Sequence, residues 1–162
     1  VLFHDRDEAG ERLADLLLNL AGDKPLVLAV SPGGAVVAAH VAARLGAPLG
    51  RVRGDRVTTD ASAEASDRLI VLVDDAIETG EPLLAACRTV AALNPKRIVL
   101  AAPTAPPRWT PGRLAADLYC VARPVPAGPA ERWYDEFPPV SERQARAALR
   151  GQDWAYAGAT SL

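Results

Sequence analysis

Residues 69–73 read Leu-Ile-Val-Leu-Val, five apolar side chains in unbroken succession, and the chain then turns at once to Asp74-Asp75. A strand with one wet face alternates apolar and polar residues, so an unbroken run predicts a strand covered on both faces. Such strands belong to parallel sheets, whose helical crossovers lie over both sides. Residues 26–30 (LVLAV), 97–101 (RIVLA) and 118–121 (LYCV) repeat the pattern.

Helical signals separate these runs. Asp5 and Glu8 have capping-box spacing, Leu13, Leu16, Leu17 and Leu20 follow at helical intervals, and Gly22 closes the element. After the tight loop Ser31-Pro32-Gly33-Gly34, an Ala- and Val-rich helix is expected over 35–45, stopped by Gly46. Pro82 suits the first position of a helix over 82–93, and Ser141 with Gln144 caps one over 141–149. Residues 48–57 have room for a further strand, 58–67 are polar and turn-like, 103–112 are Pro-rich, and 114–117 suit a helical turn. Strands alternating with helices imply right-handed crossovers and a mostly parallel sheet. A chain of 162 residues, without an internal repeat or an evident linker, reads as a single doubly wound α/β domain spanning 1–162.

The formal net charge of −2 provides no global attraction to nucleic acid or anionic lipid, and the many Arg residues are interleaved with Asp and Glu. No nucleic-acid or membrane partner is expected. The longest apolar stretch, 33–41, is far short of a membrane span, and the charged start from His4 does not read as a signal peptide, so a cytoplasmic setting is expected. Cys87 and Cys120 lie in separate apolar stretches and read as buried free thiols.

The chemistry concentrates in residues 74–80, Asp-Asp-Ala-Ile-Glu-Thr-Gly. In open α/β sheets, ligands bind at the carboxyl ends of strands, where helix N-termini present unpaired N–H groups. Two adjacent carboxylates at a strand end repel each other, yet they suit vicinal hydroxyls, each accepting one hydrogen bond. The following turn, ending in Thr79-Gly80, would wrap an anion at the helix start. Carboxylates for a sugar beside amides for a phosphate describe a ribose 5-phosphate site.

The order of strand, acidic pair, aliphatic residue, Thr-Gly and helix resembles the phosphoribosyl pyrophosphate (PRPP) signature of type I phosphoribosyltransferases. Phe3-His4-Asp5-Arg6, Ala9-Gly10, residues 28–48, Ala101-Ala102-Pro103, Ala105-Pro106-Pro107 and Arg132-Trp133-Tyr134-Asp135-Glu136-Phe137 extend the likeness to a bacterial group of that family. The resemblance implies a glycosyltransferase reaction in which a nucleophile displaces pyrophosphate from PRPP, with Mg²⁺ bridging ligand oxygens and water rather than sitting in a protein cage. It implies ribose binding by Asp74 and Asp75, and 5′-phosphate binding by Ala76, Ile77, Thr79 and Gly80. It also implies a pyrophosphate loop of Ser31, Gly33 and Gly34. Asp75 and Glu78 become the candidate catalytic residues, Glu78 as a general base for the incoming nucleophile.

Three departures bear on catalysis. Pro32 stands where the look-alike group has Arg, removing a guanidinium and an N–H donor. Such loops often carry an unusual peptide geometry, which makes a cis Ser31–Pro32 bond an option here. Glu81-Pro82 replaces a small residue and a hydroxyl, and residues 50–68 are much shorter than the segment that builds the family's hood and mobile loop. A catalytically weak or inactive PRPP- or nucleotide-binding regulator is therefore the alternative to a transferase. A homodimer formed through the shortened region stays open. His4, Asp5 and Asp7 are better explained by capping and surface charge than by a metal, and His40 reads as a helix boundary residue. Trp133, Tyr134 and Phe137 could stack on a base, although such clusters more often anchor a tail to a core.

Overall fold

The computed structural model describes residues 1–59 and 64–157. Part of the polar 58–67 segment therefore lies outside the described residues. Six strands form one sheet in the order β3-β2-β1-β4-β5-β6. These are β1 (Leu26–Val30), β2 (Leu49–Arg53), β3 (Arg56–Thr58), β4 (Leu69–Val73), β5 (Arg97–Thr104) and β6 (Asp117–Ala122). Every neighbouring pair is parallel except β2 and β3, which form an antiparallel hairpin at one edge. The helices are α1 (Arg6–Leu16), α2 (Pro32–Leu45), α3 (Glu81–Ala91) and α4 (Glu142–Leu149).

The two unbroken apolar runs, β1 and β4, are buried at all five positions and pair at the centre of the sheet, with Ala29 opposite Val73. Their alternate side chains feed two cores. Val27, Ala29, Val71 and Val73 meet α1, α2 and α4 on one face, whereas Leu26, Leu28, Ile70 and Leu72 meet α3 on the other. This split follows from chain direction. The crossover after β1 leads outward to β2 and the crossover after β4 leads the opposite way to β5, so right-handed connections place α2 and α3 on opposite faces. The carboxyl ends of β1 and β4 thereby diverge into a crevice, the ligand position of open α/β sheets.

Several boundaries differ from expectation. The first helix ends at Leu16, and residues 18–23 continue as a separate 3₁₀ stretch. Helix α2 starts at Pro32, so Pro32-Gly33-Gly34 form its first turn rather than a loop. Strand β5 runs three residues further, through Pro103 to Thr104. Residues 48–57 hold most of a hairpin, and residues 112–116 form turns without a helical element. Ser141 caps α4 in a reciprocal capping box with Gln144, as its spacing predicted. Both cysteines are free, and burial pushes the Cys87 thiol up to about 11. Among the described residues, no helix is long and apolar enough to cross a membrane.

Candidate functional site

The loop after β1 and the loop after β4 face each other across a cleft of about 380 Å³ lined by Ser31, Gly33, Asp74, Asp75, residues 76–80, Ala130 and Phe137. Each wall is built from a strand end and a helix start.

On the first wall, Ser31 caps α2. Its Oγ accepts from the Gly34 amide at 3.0 Å and donates to Asp74 Oδ1 at 2.7 Å. Ser31 reaches this position with φ +76°, a left-handed value that is costly for a residue with a Cβ and concentrates at functional loops. The unusual backbone geometry thus lies in Ser31 itself; the Ser31–Pro32 bond is not cis. Pro32 also removes less than expected, because at the first helical position its N–H would have no helical partner. With Gly34 bonded to Ser31 Oγ and Ala35 to the Ser31 carbonyl, Gly33 is left as the first-turn amide open to a ligand.

On the second wall, Asp74 is buried and Asp75 half-buried. Asp74 Oδ1 takes the Asp75 amide at 2.8 Å in addition to Ser31. Burial, reinforced by the Asp75 charge, pushes the Asp74 carboxyl well above the usual carboxylate range. Two carboxylates this close do not both ionise readily. Burial and the neighbouring charge thus favour the protonated form of Asp74. The Ile77 side chain is buried and its amide donates to the Thr104 carbonyl at 2.9 Å, so Ile77 anchors the loop to β5. Among the described residues, the amides of Ala76, Glu78, Thr79 and Gly80 carry no such bond. Glu78 accepts the backbone N–H of Ala130, which ties the loop to the tail.

Three further groups were not singled out from the sequence as site or wall residues. Arg6, on the first turn of α1, pairs with Asp75 Oδ2 at 2.9 Å and donates to the Pro138 carbonyl. Trp109, from the Pro-rich connection, donates its indole N–H to the Thr79 carbonyl at 3.2 Å. Its ring lies where a Cβ on Gly80 would stand, 2.2 Å away, and Gly80 holds φ +83°. Arg51, buried on β2, pairs with Glu142 of α4 at 2.9 Å. An Arg beside aspartates and a Trp in a Pro-rich stretch read from sequence as ordinary surface, and no spacing distinguishes them.

The aromatic tail is an anchor. Tyr134 is buried against Phe3, and its hydroxyl donates to the Asp75 carbonyl at 2.7 Å. The Phe137 ring centroid lies 4.6 Å from that of Tyr134 and 3.8 Å from the Arg6 guanidinium. His40 is paired rather than idle, bonding Asp7 at 2.7 Å. Among the described residues, the one acidic and histidine cluster with metal-like spacing is His4, Asp5 and Glu136, and none of these lines the cleft.

A family model, described as phosphoribosyl transferase domain, matches residues 5–111, which include both walls of the cleft. The chain belongs to the phosphoribosyl transferase domain family. A candidate phosphoribosyl transferase of Mycobacterium tuberculosis is 29% identical over 217 aligned positions, covering 98% of this chain and 49% of that protein. The chain thus spans about half the length of the curated relatives it matches. The protein TT1426 from Thermus thermophilus superposes with a TM-score of 0.80 at 27% identity, covering 98% of this chain and all of that one. An orotate phosphoribosyltransferase from Aeropyrum pernix superposes at 0.58 with 25% identity, covering 71% of this chain and 68% of that one.

Proposed function

We propose that this phosphoribosyl transferase domain binds PRPP or a related ribose 5-phosphate ligand in the cleft and transfers the phosphoribosyl group to an unidentified nucleophile. The observation that carries the reading is the opposition of the two loops. The Asp74-Asp75 pair and the open amides of residues 76, 79 and 80 stand across one cleft from Ser31 and Gly33, whereas Gly34, whose amide bonds Ser31 Oγ, does not line it.

In this reading Asp74 and Asp75 hold the ribose hydroxyls. The amides of Ala76, Thr79 and Gly80, with the Thr79 hydroxyl, take the 5′-phosphate, and Ile77 holds that turn against β5. Ser31 and Gly33 face the pyrophosphate. Displacement at C1 passes through an oxocarbenium-like state, so the protein acts mainly by fixing the ribose and supporting the departing charge. Glu78 lines the same cleft, and its general-base role requires exchanging the Ala130 amide for the incoming nucleophile.

Mg²⁺ would neutralise pyrophosphate charge. The Arg6 guanidinium at 2.9 Å from Asp75 disfavours a cation bound directly by that carboxylate, so the donor set fits Mg²⁺ held by ligand oxygens and water. A cytoplasmic setting goes with this chemistry.

The second reading, a PRPP or nucleotide sensor with little turnover, draws on the alignment with the Mycobacterium protein. Its 217 positions exceed the 162 residues of this chain, so the relative carries segments this chain lacks. Without a hood, water is harder to exclude from the cleft.

Calorimetric titration with PRPP, ribose 5-phosphate and pyrophosphate, each with and without Mg²⁺, tests both readings. A transferase binds PRPP and releases pyrophosphate with at least one of a panel of nitrogenous bases. Binding without release selects the sensor, and absence of binding to all three removes both.

A further inference from the structure

We propose that Arg6 is a positioning residue for ribose recognition, holding the Asp75 carboxylate in the one orientation that lets the Asp74-Asp75 pair grip a cis-diol. The proposal rests on the ribose-phosphate reading of the cleft.

Arg6 has no local reason to be where it is. It is the first residue of α1, where the helix dipole disfavours a cation, and an arginine is seldom fully buried. Here its side chain is 6% exposed. What compensates lies entirely outside its own helix. The Nε bonds Asp75 Oδ2, an Nη bonds the Pro138 carbonyl, and the guanidinium lies over the Phe137 ring. A planar guanidinium held at three points has no rotational freedom left, and it passes that restriction to the carboxylate it grips.

The opposite wall is shaped to admit the pair. A Cβ on Gly33 would stand 2.1 Å from Asp75 Oδ2 and 2.9 Å from Arg6 Nε. The Arg6–Asp75 contact thus lies directly against the first turn of α2, between the two loops that form the cleft. Tyr134 fixes the same residue from behind by bonding the Asp75 carbonyl. Side chain and backbone of Asp75 are therefore each fixed, one by Arg6 of α1 and one by Tyr134, and both restraints lean on the tail. Buried ion pairs are poor sources of net stability, and a hydrophobic replacement is often as stable. Orientation is the better account of this one.

The test compares ribose 5-phosphate with 2-deoxyribose 5-phosphate by calorimetry, in the wild-type protein, Arg6→Gln, Arg6→Lys, Asp75→Asn and the Arg6→Gln/Asp75→Asn double variant. The wild-type protein is expected to prefer the ribose ligand. Arg6→Gln should weaken that ligand about tenfold or more while the deoxy ligand changes little, so the preference collapses. Arg6→Lys, which keeps the charge, should recover part of it. In the Asp75→Asn background the Arg6→Gln change should have no further effect.

Unaltered preference in a folded Arg6→Gln protein overturns the proposal, as do independent, additive losses from Arg6→Gln and Asp75→Asn. Should Arg6→Gln not fold, Phe137→Leu, which loosens the guanidinium, must reduce the same preference, and an unchanged preference counts against the proposal equally. Absence of ribose 5-phosphate binding by the wild-type protein is a different result: it overturns the reading of the cleft, and this inference with it.

Discussion

At the scale of single residues, the cleft depends on a missing side chain. Gly33→Ala places a methyl group 2.1 Å from a carboxylate oxygen that is already ion-paired. The Asp75 carboxylate must move or the α2 start must retreat. Overpacking of this kind costs about 1–3 kcal/mol in stability. The larger expected effect is on ligand: ribose 5-phosphate affinity should fall at least tenfold, measured by calorimetry on protein that still melts cooperatively. The acidic pair itself was legible, since Asp-Asp at the end of an apolar strand has few purposes. Its asymmetry was not. Reading both groups as anions that each accept one hydroxyl overlooks the burial of Asp74 and the two donors on its Oδ1, which are set by residues 43 positions away and one position away. Arg6 was hidden for a related reason: inside Asp-Arg-Asp-Glu it looks solvated, and only the return of the tail buries it.

At the scale of elements, the turn formed by residues 76–80 is held by a clasp that no helical or strand pattern announces. Trp109 lies over Gly80 and bonds Thr79, and Arg123 holds the carbonyls of Pro107 and Trp109 in turn. Gly80→Ala therefore carries two costs, a steric one from the indole and a conformational one from φ +83°. A loss of about 3 kcal/mol is expected by denaturant unfolding. Measured against Trp109→Ala alone, the same Gly80→Ala change should cost only about 1 kcal/mol, the conformational share, which separates the two causes. The strands β1 and β4 were legible to the residue because continuous apolar runs end where burial ends. The start of α2 was not, because Pro-Gly-Gly signals a loop locally, whereas Ser31 capping and packing against β4 carry the helix through it.

Helices α1 and α2 and the tail are also joined electrostatically. Asp7 accepts from the Trp154 indole and pairs with His40. The bond to Asp7 pushes the His40 imidazolium above its ordinary value, and the same bond holds Asp7 below the usual carboxylate range. A histidine that binds its proton more tightly when folded stabilises the fold fully below about pH 6.5, and this is lost as pH rises through the raised value. Asp7 contributes above about pH 4, and its share is lost as pH falls through the lowered value. Compared with His40→Gln, the wild-type protein should therefore melt higher at pH 5.5, with the two curves converging by about pH 9.

At the scale of the whole molecule, the segment after β6 is part of the cleft. It contributes Ala130, Phe137 and Val140 to the lining, fixes Asp75 through Tyr134, and carries α4 onto α2. Truncation after Gly128 should uncover Phe3 and the α2 face packed by Ala145 and Ala148, and abolish cooperative thermal unfolding as followed by circular dichroism. The mostly parallel sheet and its covering helices were readable because hydrophobic periodicity is a local property; the strand order was not. The aromatic cluster pointed to an anchored tail, but its partners were not readable, since those contacts span from 52 to 132 positions of sequence.

That separation also has a consequence in time. Arg6 and Pro138 are 132 residues apart in the chain and touch in the folded protein. A ribosome can release α1, β1, α2 and β4 and let the sheet begin to form long before residues 134–138 emerge. Until then Arg6 has neither its carbonyl nor its aromatic support, and Asp75 lacks its tyrosine. On the proposed reading, the ribose grip is therefore completed only when the tail returns, together with the cooperative fold that the same tail closes.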